Sequence, residues 1–274
     1  MSDTALEGVL RRDRAMVAAA LAIIVALAWF YVWRLAAGMD MGGMDMTGLR
    51  MVSTGFEMAM APALDPWSGE QFAMMFAMWA VMMVGMMTPS AAPMILIHAR
   101  VGRQAASEGK PFASTGWFAG GYLLVWSAFA LAATTAQWGL ESLALLTPMM
   151  ASASAVLGGV VLVAAGLYQW TPLKDACLSQ CQSPLAFIQR AGGFKRDMAG
   201  ALRLGLRHGA YCVGCCWALM ALLFVGGVMN VLWIAAISIF VLLEKIVPAS
   251  RLVSRVAGAG FVTAGVWLLV SRWT

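Results

Sequence analysis

The sequence predicts an all-α, polytopic membrane protein of about seven transmembrane helices, with the N-terminus inside and the C-terminus outside. Three observations predict it. Of 274 residues, 62% are hydrophobic and 11% charged, and the mean hydropathy is +0.80; soluble domains are about 45–50% apolar and about 25% charged. The apolar residues gather in runs close to the ~20 residues that cross a bilayer, and no segment between them is long enough to build a core of its own. With the N-terminus inside, the inner segments hold 15 of the 18 lysines and arginines, leaving only Arg34, Arg50 and Arg272 outside, which is the bias that orients helical membrane proteins.

Residues 1–14 read as a cytoplasmic N-terminus carrying Arg11, Arg12 and Arg14. The apolar run at 15–37 follows. Its stretch from Met16 to Trp33 exceeds the ~7–15 apolar residues of a secretory signal, so it is read as an anchor helix. Residues 38–71 read as a methionine-rich periplasmic loop. Residues 72–271 read as a six-helix membrane domain, with spans near 72–97, 115–137, 149–170, 209–229, 231–247 and 256–271 and a cytoplasmic, cysteine-containing loop at 171–207. The chain is placed as a multi-pass protein of a bacterial inner membrane. Its net charge of +5 follows from this topology. The basic residues are spread over successive inner segments, with no folded domain to present them to nucleic acid.

Methionine is the first compositional signal. Of 22 methionines, 17 lie at or before Met94. The loop "MDMGGMDM" holds Met39, Met41, Met44 and Met46, with Met51, Met58 and Met60 following. Thioether sulfur is a soft, neutral ligand that selects copper(I) over calcium, magnesium or manganese, so these four are read as copper-capturing ligands; the bland alternative is a flexible linker. In the second span, Met74, Met78, Met82 and Met86 recur every four residues and drift slowly around one side of a helix. They are read either as an ion path or as packing, for which methionine is well suited. Met83, Met87 and Met94 fall on another face. "MMTPSAAPM" predicts an interruption, because Pro89 and Pro93 each remove an amide donor, and the freed groups need partners such as Ser90 and Thr88.

The segment "HGAYCVGCCWALM", His208–Met220, is the second signal. At about 100° per residue, His208, Cys212, Cys215 and Cys216 fall within an arc of about 100°, and Met220 continues it. Thiolate and imidazole both suit copper(I) and zinc. The competing readings are redox thiol chemistry and simple packing of buried cysteines. Cys177 and Cys181, spaced i, i+4 in the inner loop, are placed to complete this site or to hand a metal to a cytoplasmic acceptor. Counting back from the turn at Met229-Asn230 sets Glu244 level with Cys215. Glu244 is the only acid within the assigned spans, and such a residue is a functional candidate; its alternative is a helix-end pair with Lys245 or Arg251. His98 ends the second span on the same inner side.

Three segments, "MMVGMMTPSAAPM", "YQWTPLKDACLSQCQSP" and "HGAYCVGCCWALMALLFVGGVMNVLW…LLEKIVP", resemble a bacterial family of predicted metal-binding integral membrane proteins. The resemblance covers roughly residues 70–270 and implies a metal site at His208, Cys212, Cys215 and Cys216. The methionine-rich loop lies outside its strongest part.

The resulting expectation is a membrane protein that captures copper(I) and moves or delivers it, with a metallochaperone or a larger membrane complex as partner. No catalytic constellation and no Walker motif are read, so the chain is taken as a binding protein rather than an enzyme. Three rivals carry distinct requirements. A quinone-linked thiol oxidoreductase needs an accessible, electropositive thiol. A haem protein needs His98 and His208 facing each other across one macrocycle. An accessory subunit of a membrane complex needs neither. Zinc competes with copper at the cysteine site.

Overall fold

The computed structural model describes residues 3–41, 49–53, 58–62, 67–147, 150–247 and 249–271, with side chains over 15–37 and, within those ranges, from 67 onward. Helix α1 (Asp3–Met41) leads into a short antiparallel hairpin, β1 (Leu49–Ser53) with β2 (Met58–Pro62), in which Met51 pairs with Met60. The remainder is helical: α2 (Gly69–Ser107), α3 (Thr115–Ser142), α4 (Ala155–Tyr168), α5 (Pro172–Gln182), α6 (Pro184–Arg190), α7 (Met198–Ala221), α8 (Leu223–Gly226), α9 (Val231–Ile246) and α10 (Ser250–Val270). The hairpin is a small addition to an all-α, membrane-type fold.

Among the described residues, five helices are long and apolar enough to cross a membrane, and a sixth span is reached if α4 and α5 count together. The sequence suggests seven. Two segments account for the difference. The fourth run ends at Tyr168, where Pro172 opens a new helix and the Thr171 hydroxyl caps it by accepting from the Lys174 amide; α5 leaves α4 at 67°. The sixth run is α9, only 16 residues long. It stops because Val247, which precedes a proline, is extended (φ −75°, ψ 130°). Residues 171–207 likewise hold α5, α6 and the start of α7 rather than an open loop.

Helix α2 runs on through Pro89 and Pro93 instead of being interrupted there. Carbonyls near Pro89 take side-chain donors: Tyr122 Oη of α3 and Ser90 Oγ of α2 itself donate to the Met87 carbonyl (3.0 and 2.8 Å), and Ser238 Oγ of α9 donates to that of Met86 (3.4 Å). α2 is enclosed by α1, α3 and α9, so its methionines are buried on more than one face: Met78, Met82 and Met86, and equally Met83, Met87 and Met94. Met74, at the start of the expected path, is 54% exposed.

Helices α3 and α7 meet backbone to backbone. A β-carbon at Gly205 would strike the Phe118 carbonyl, and one at Gly121 the Leu202 carbonyl. Gly159 and Gly166 of α4 face Gly265 and Gly258 of α10 in the same way. Small residues that permit such approach are the usual basis of helix pairing in lipid, where the hydrophobic effect does not drive association. Gly205→Ala is expected to force α3 and α7 apart and destabilise the protein by about 1–3 kcal/mol, as read by thermal unfolding in detergent. An unchanged midpoint would contradict this close packing.

Candidate metal centre

α7 carries His208, Cys212, Cys215 and Cys216 into the bundle interior, each no more than 3% exposed. Met220, which continues this face, is equally buried. The helical repeat alone explains the shared face; what surrounds it comes from four other helices. Cys212 Sγ is the hub. Lys245 Nζ of α9 lies 3.0 Å away, Tyr122 Oη of α3 lies 3.2 Å away, and Ser90 Oγ of α2 lies 4.0 Å away. Lys245 also donates to Ser90 Oγ at 2.9 Å. A buried ammonium thus stands against the sulfur of Cys212, and a metal-ligating cysteine binds as its thiolate.

More sulfur converges from two directions. Cys181 of α5 lies in the neighbourhood of Cys212, Cys215 and Lys245. Met87 Sδ lies 4.0 Å from Cys216 Sγ. The thioether beside the cysteines is therefore Met87, from the face of α2 that the Met74–Met86 series leaves out. All five cysteines are free thiols. Cys215 and Cys216 turn back to donate to the Cys212 carbonyl (3.1 and 3.0 Å). Among the described residues, no three or more His, Cys, Asp or Glu side chains are set at metal-ligating spacing. Cys177 takes a different position, with its sulfur packed on Gly214, where a β-carbon would come within 2.8 Å of it.

The two histidines border the cluster from the end where α3 begins. His208 packs against Phe118, Tyr122 and Phe187, and its Nδ1 has no hydrogen-bond partner. His98 stacks on Phe118 with ring centroids 5.3 Å apart, and its Nε2 is likewise unpartnered. Phe118 thus occupies the gap between the two imidazoles. A haem held by both has no room there, so the structure does not fit that group. The thiol oxidoreductase reading meets a different obstacle: Cys212 has the required cation beside it but is 1% exposed.

Glu244 is buried, and its partners differ from those the sequence suggests. Lys174 Nζ of α5 lies 2.7 and 2.8 Å from its two carboxylate oxygens, and Ser254 Oγ donates to it at 2.7 Å. Lys174 also hydrogen-bonds Gln169, and Gln182 donates to the Glu244 carbonyl. Arg251 sits near Asp175 instead, 3.7 Å away, and Lys245 serves Cys212. The Lys174–Glu244 pair therefore fastens α5, with its two cysteines, onto α9.

Met39 and Met41 fall in the last turn of α1, but their side chains, together with Met44 and Met46 as a whole, lie outside the described residues. The copper-capture reading of that loop thus has no geometry here.

The family model of PpoB2, described as a copper chaperone, matches residues 76–268. The chain belongs to this copper chaperone family. The PpoB2 match takes in all five cysteines, both histidines, Lys174, Glu244, Lys245 and Met87; Met39, Met41, Met44, Met46 and Met74 fall outside it. No curated protein and no solved structure matches the chain. For this PpoB2 member a copper-related function is thereby supported at the level of the family.

Proposed function

We propose that this protein holds copper(I) in the membrane through Cys181, Cys212, Cys215 and Cys216 and delivers it to an acceptor. The convergence of four thiols and the Met87 thioether beside a buried ammonium is the observation that carries this reading. Soft sulfur donors suit copper(I). A copper(I) ion bound by two thiolates has a net charge of −1, and the Lys245 ammonium neutralises it where water does not. His208 borders the same pocket and supplies a nitrogen ligand if its ring turns toward the sulfurs.

In this reading the N-terminus is inside the bacterial inner membrane. Met39, Met41, Met44 and Met46 collect copper on the periplasmic side. Transfer inward ends at α5, whose Cys181 neighbours the site and whose Cys177 lies one turn away, and from there the ion passes to a cytoplasmic metallochaperone or to a partner complex. His98 marks the inner end of the bundle.

The test is metal retention. The full-length chain, loaded with copper(I) and purified in detergent, is expected to keep stoichiometric copper against a competing chelator; complete loss under those conditions would remove the holding role. Capture is tested separately. Replacing Met39, Met41, Met44 and Met46 with leucine keeps the apolar character and removes the sulfur lone pairs. The variant is expected to lose copper delivery at low external copper while keeping its tightly held ion. Delivery equal to the parent's would reduce that loop to a linker.

A further inference from the structure

A second cluster lies at the other end of α2 and α3. Gln137 is completely buried. Its Nε2 is 2.8 Å from Glu141 Oε1, 3.2 Å from Met150 Sδ and 3.8 Å from Met75 Sδ. An amide nitrogen carries two hydrogens, so three acceptors surround a group that satisfies two. The orientation of the amide is fixed from its other end, because Trp79 Nε1 donates to Gln137 Oε1 at 2.6 Å. Trp67 Nε1 donates to the second Glu141 oxygen at 3.0 Å. Met150 also has φ 54°, in the left-handed region, which costs a residue with a side chain about 1–3 kcal/mol and tends to occur where function demands it. Hydrogen bonds from its amide to the Thr147 carbonyl and from the Val228 amide to its own carbonyl hold it there.

We propose that Met75, Met150 and Glu141 form a second site for a soft monovalent cation, copper(I) or silver(I), whose place the Gln137 amide nitrogen now fills. Two thioethers and a carboxylate form a donor set that a soft ion accepts and that calcium or magnesium does not. The single carboxylate balances one positive charge, whereas a divalent ion would leave net charge in the bundle. Position supports an entry role. Met75 and Met87 are separated along α2 by about 18 Å at 1.5 Å per residue, with Met78, Met82, Met83 and Met86 buried between them. Trp67, which donates to Glu141, lies within the 38–71 segment that carries the clustered methionines. This site rests on the copper reading above and extends it with a station at the end of the bundle away from the histidines.

The experiment is a silver(I) titration of the full chain in nanodiscs, labelled with 13C at the methionine methyl groups. It uses a background in which Cys212, Cys215 and Cys216 are serine and Met39, Met41, Met44 and Met46 are leucine. The Met75 and Met150 resonances, assigned by their loss in Met75→Leu and Met150→Leu, are expected to shift together and saturate together. Met75→Leu, and separately Glu141→Gln, is expected to weaken silver binding read at Met150 by at least about tenfold, while the remaining methionine resonances show the fold retained. Unmoved Met75 and Met150 resonances, or a Met150 response unchanged by Met75→Leu, would overturn the site. The parent chain separates the two claims. If silver(I) binds its cysteines and leaves Met75 and Met150 unmoved, only the second site is lost; if the parent binds none at all, the copper reading itself fails.

Discussion

Replacing Cys212, Cys215 and Cys216 with serine is expected to weaken copper(I) binding by about a thousandfold or more, which corresponds to about 4 kcal/mol. Serine is close to cysteine in size but is a poor ligand for a soft ion. The pocket itself should persist, because Lys245 still has Ser90 within 2.9 Å and Tyr122 still has the Met87 carbonyl. The measurement is chelator competition on parent and variant purified identically, with thermal unfolding as a check that the fold is kept. Equal copper in the two proteins would reduce the three thiols to packing.

Lys174→Met is expected to cost about 3–5 kcal/mol of stability, because it leaves the Glu244 carboxylate buried without its counter-charge. Lys174 and Glu244 are each no more than 1% exposed, so water cannot replace the lost partner. Adding Glu244→Gln should restore a large part of the loss, since the unpaired charge then disappears. Copper binding should follow the same order: α5 carries Cys181 to Cys212 and Cys215, and loosening α5 withdraws that thiol. If Lys174→Met unfolds at the parent's temperature, the pair does not fasten α5. If the double variant is no better than the single, the cost comes from lost packing rather than from the stranded charge.

These two experiments touch residues of very different legibility. The shared face of His208, Cys212, Cys215 and Cys216 follows from the 3.6-residue repeat and was readable because all four lie on one uninterrupted helix. Long apolar runs likewise announced α1, α2, α3, α7 and α10. Lys174 and Lys245 were not readable as buried groups. Both fall where the inward bias of lysine and arginine already accounts for a positive charge, and nothing local distinguishes a lysine that points into the bundle. The one available clue was Glu244: a buried acid requires a cation, but several stood at the same depth. For Cys181 the sequence offered two roles shared with Cys177, completing the site or handing a metal onward, and could not separate the two cysteines. The place of Cys181 beside Cys212 depends on the 67° bend between α4 and α5, and the Pro172 break marks where a helix ends without saying which way the next one turns. On α2, the four-residue methionine spacing suggested one privileged face. Path and packing were both open there; enclosed by three other helices, α2 buries methionines on more than one face, and the sulfur that reaches the cysteines is Met87. The prolines do not end the helix, which runs on through Pro89 and Pro93, while hydroxyls from α3 and α9, distant in sequence, donate to the carbonyls of Met87 and Met86.

The central claim, that buried sulfur holds copper(I) here, is tested most directly by copper X-ray absorption on the full-length chain loaded with copper(I) in detergent. The account predicts a copper(I) edge with a first shell dominated by sulfur, and loss of those sulfur neighbours when Cys212, Cys215 and Cys216 are serine. A first shell of nitrogen and oxygen, or a sulfur shell that survives the triple substitution, would contradict it.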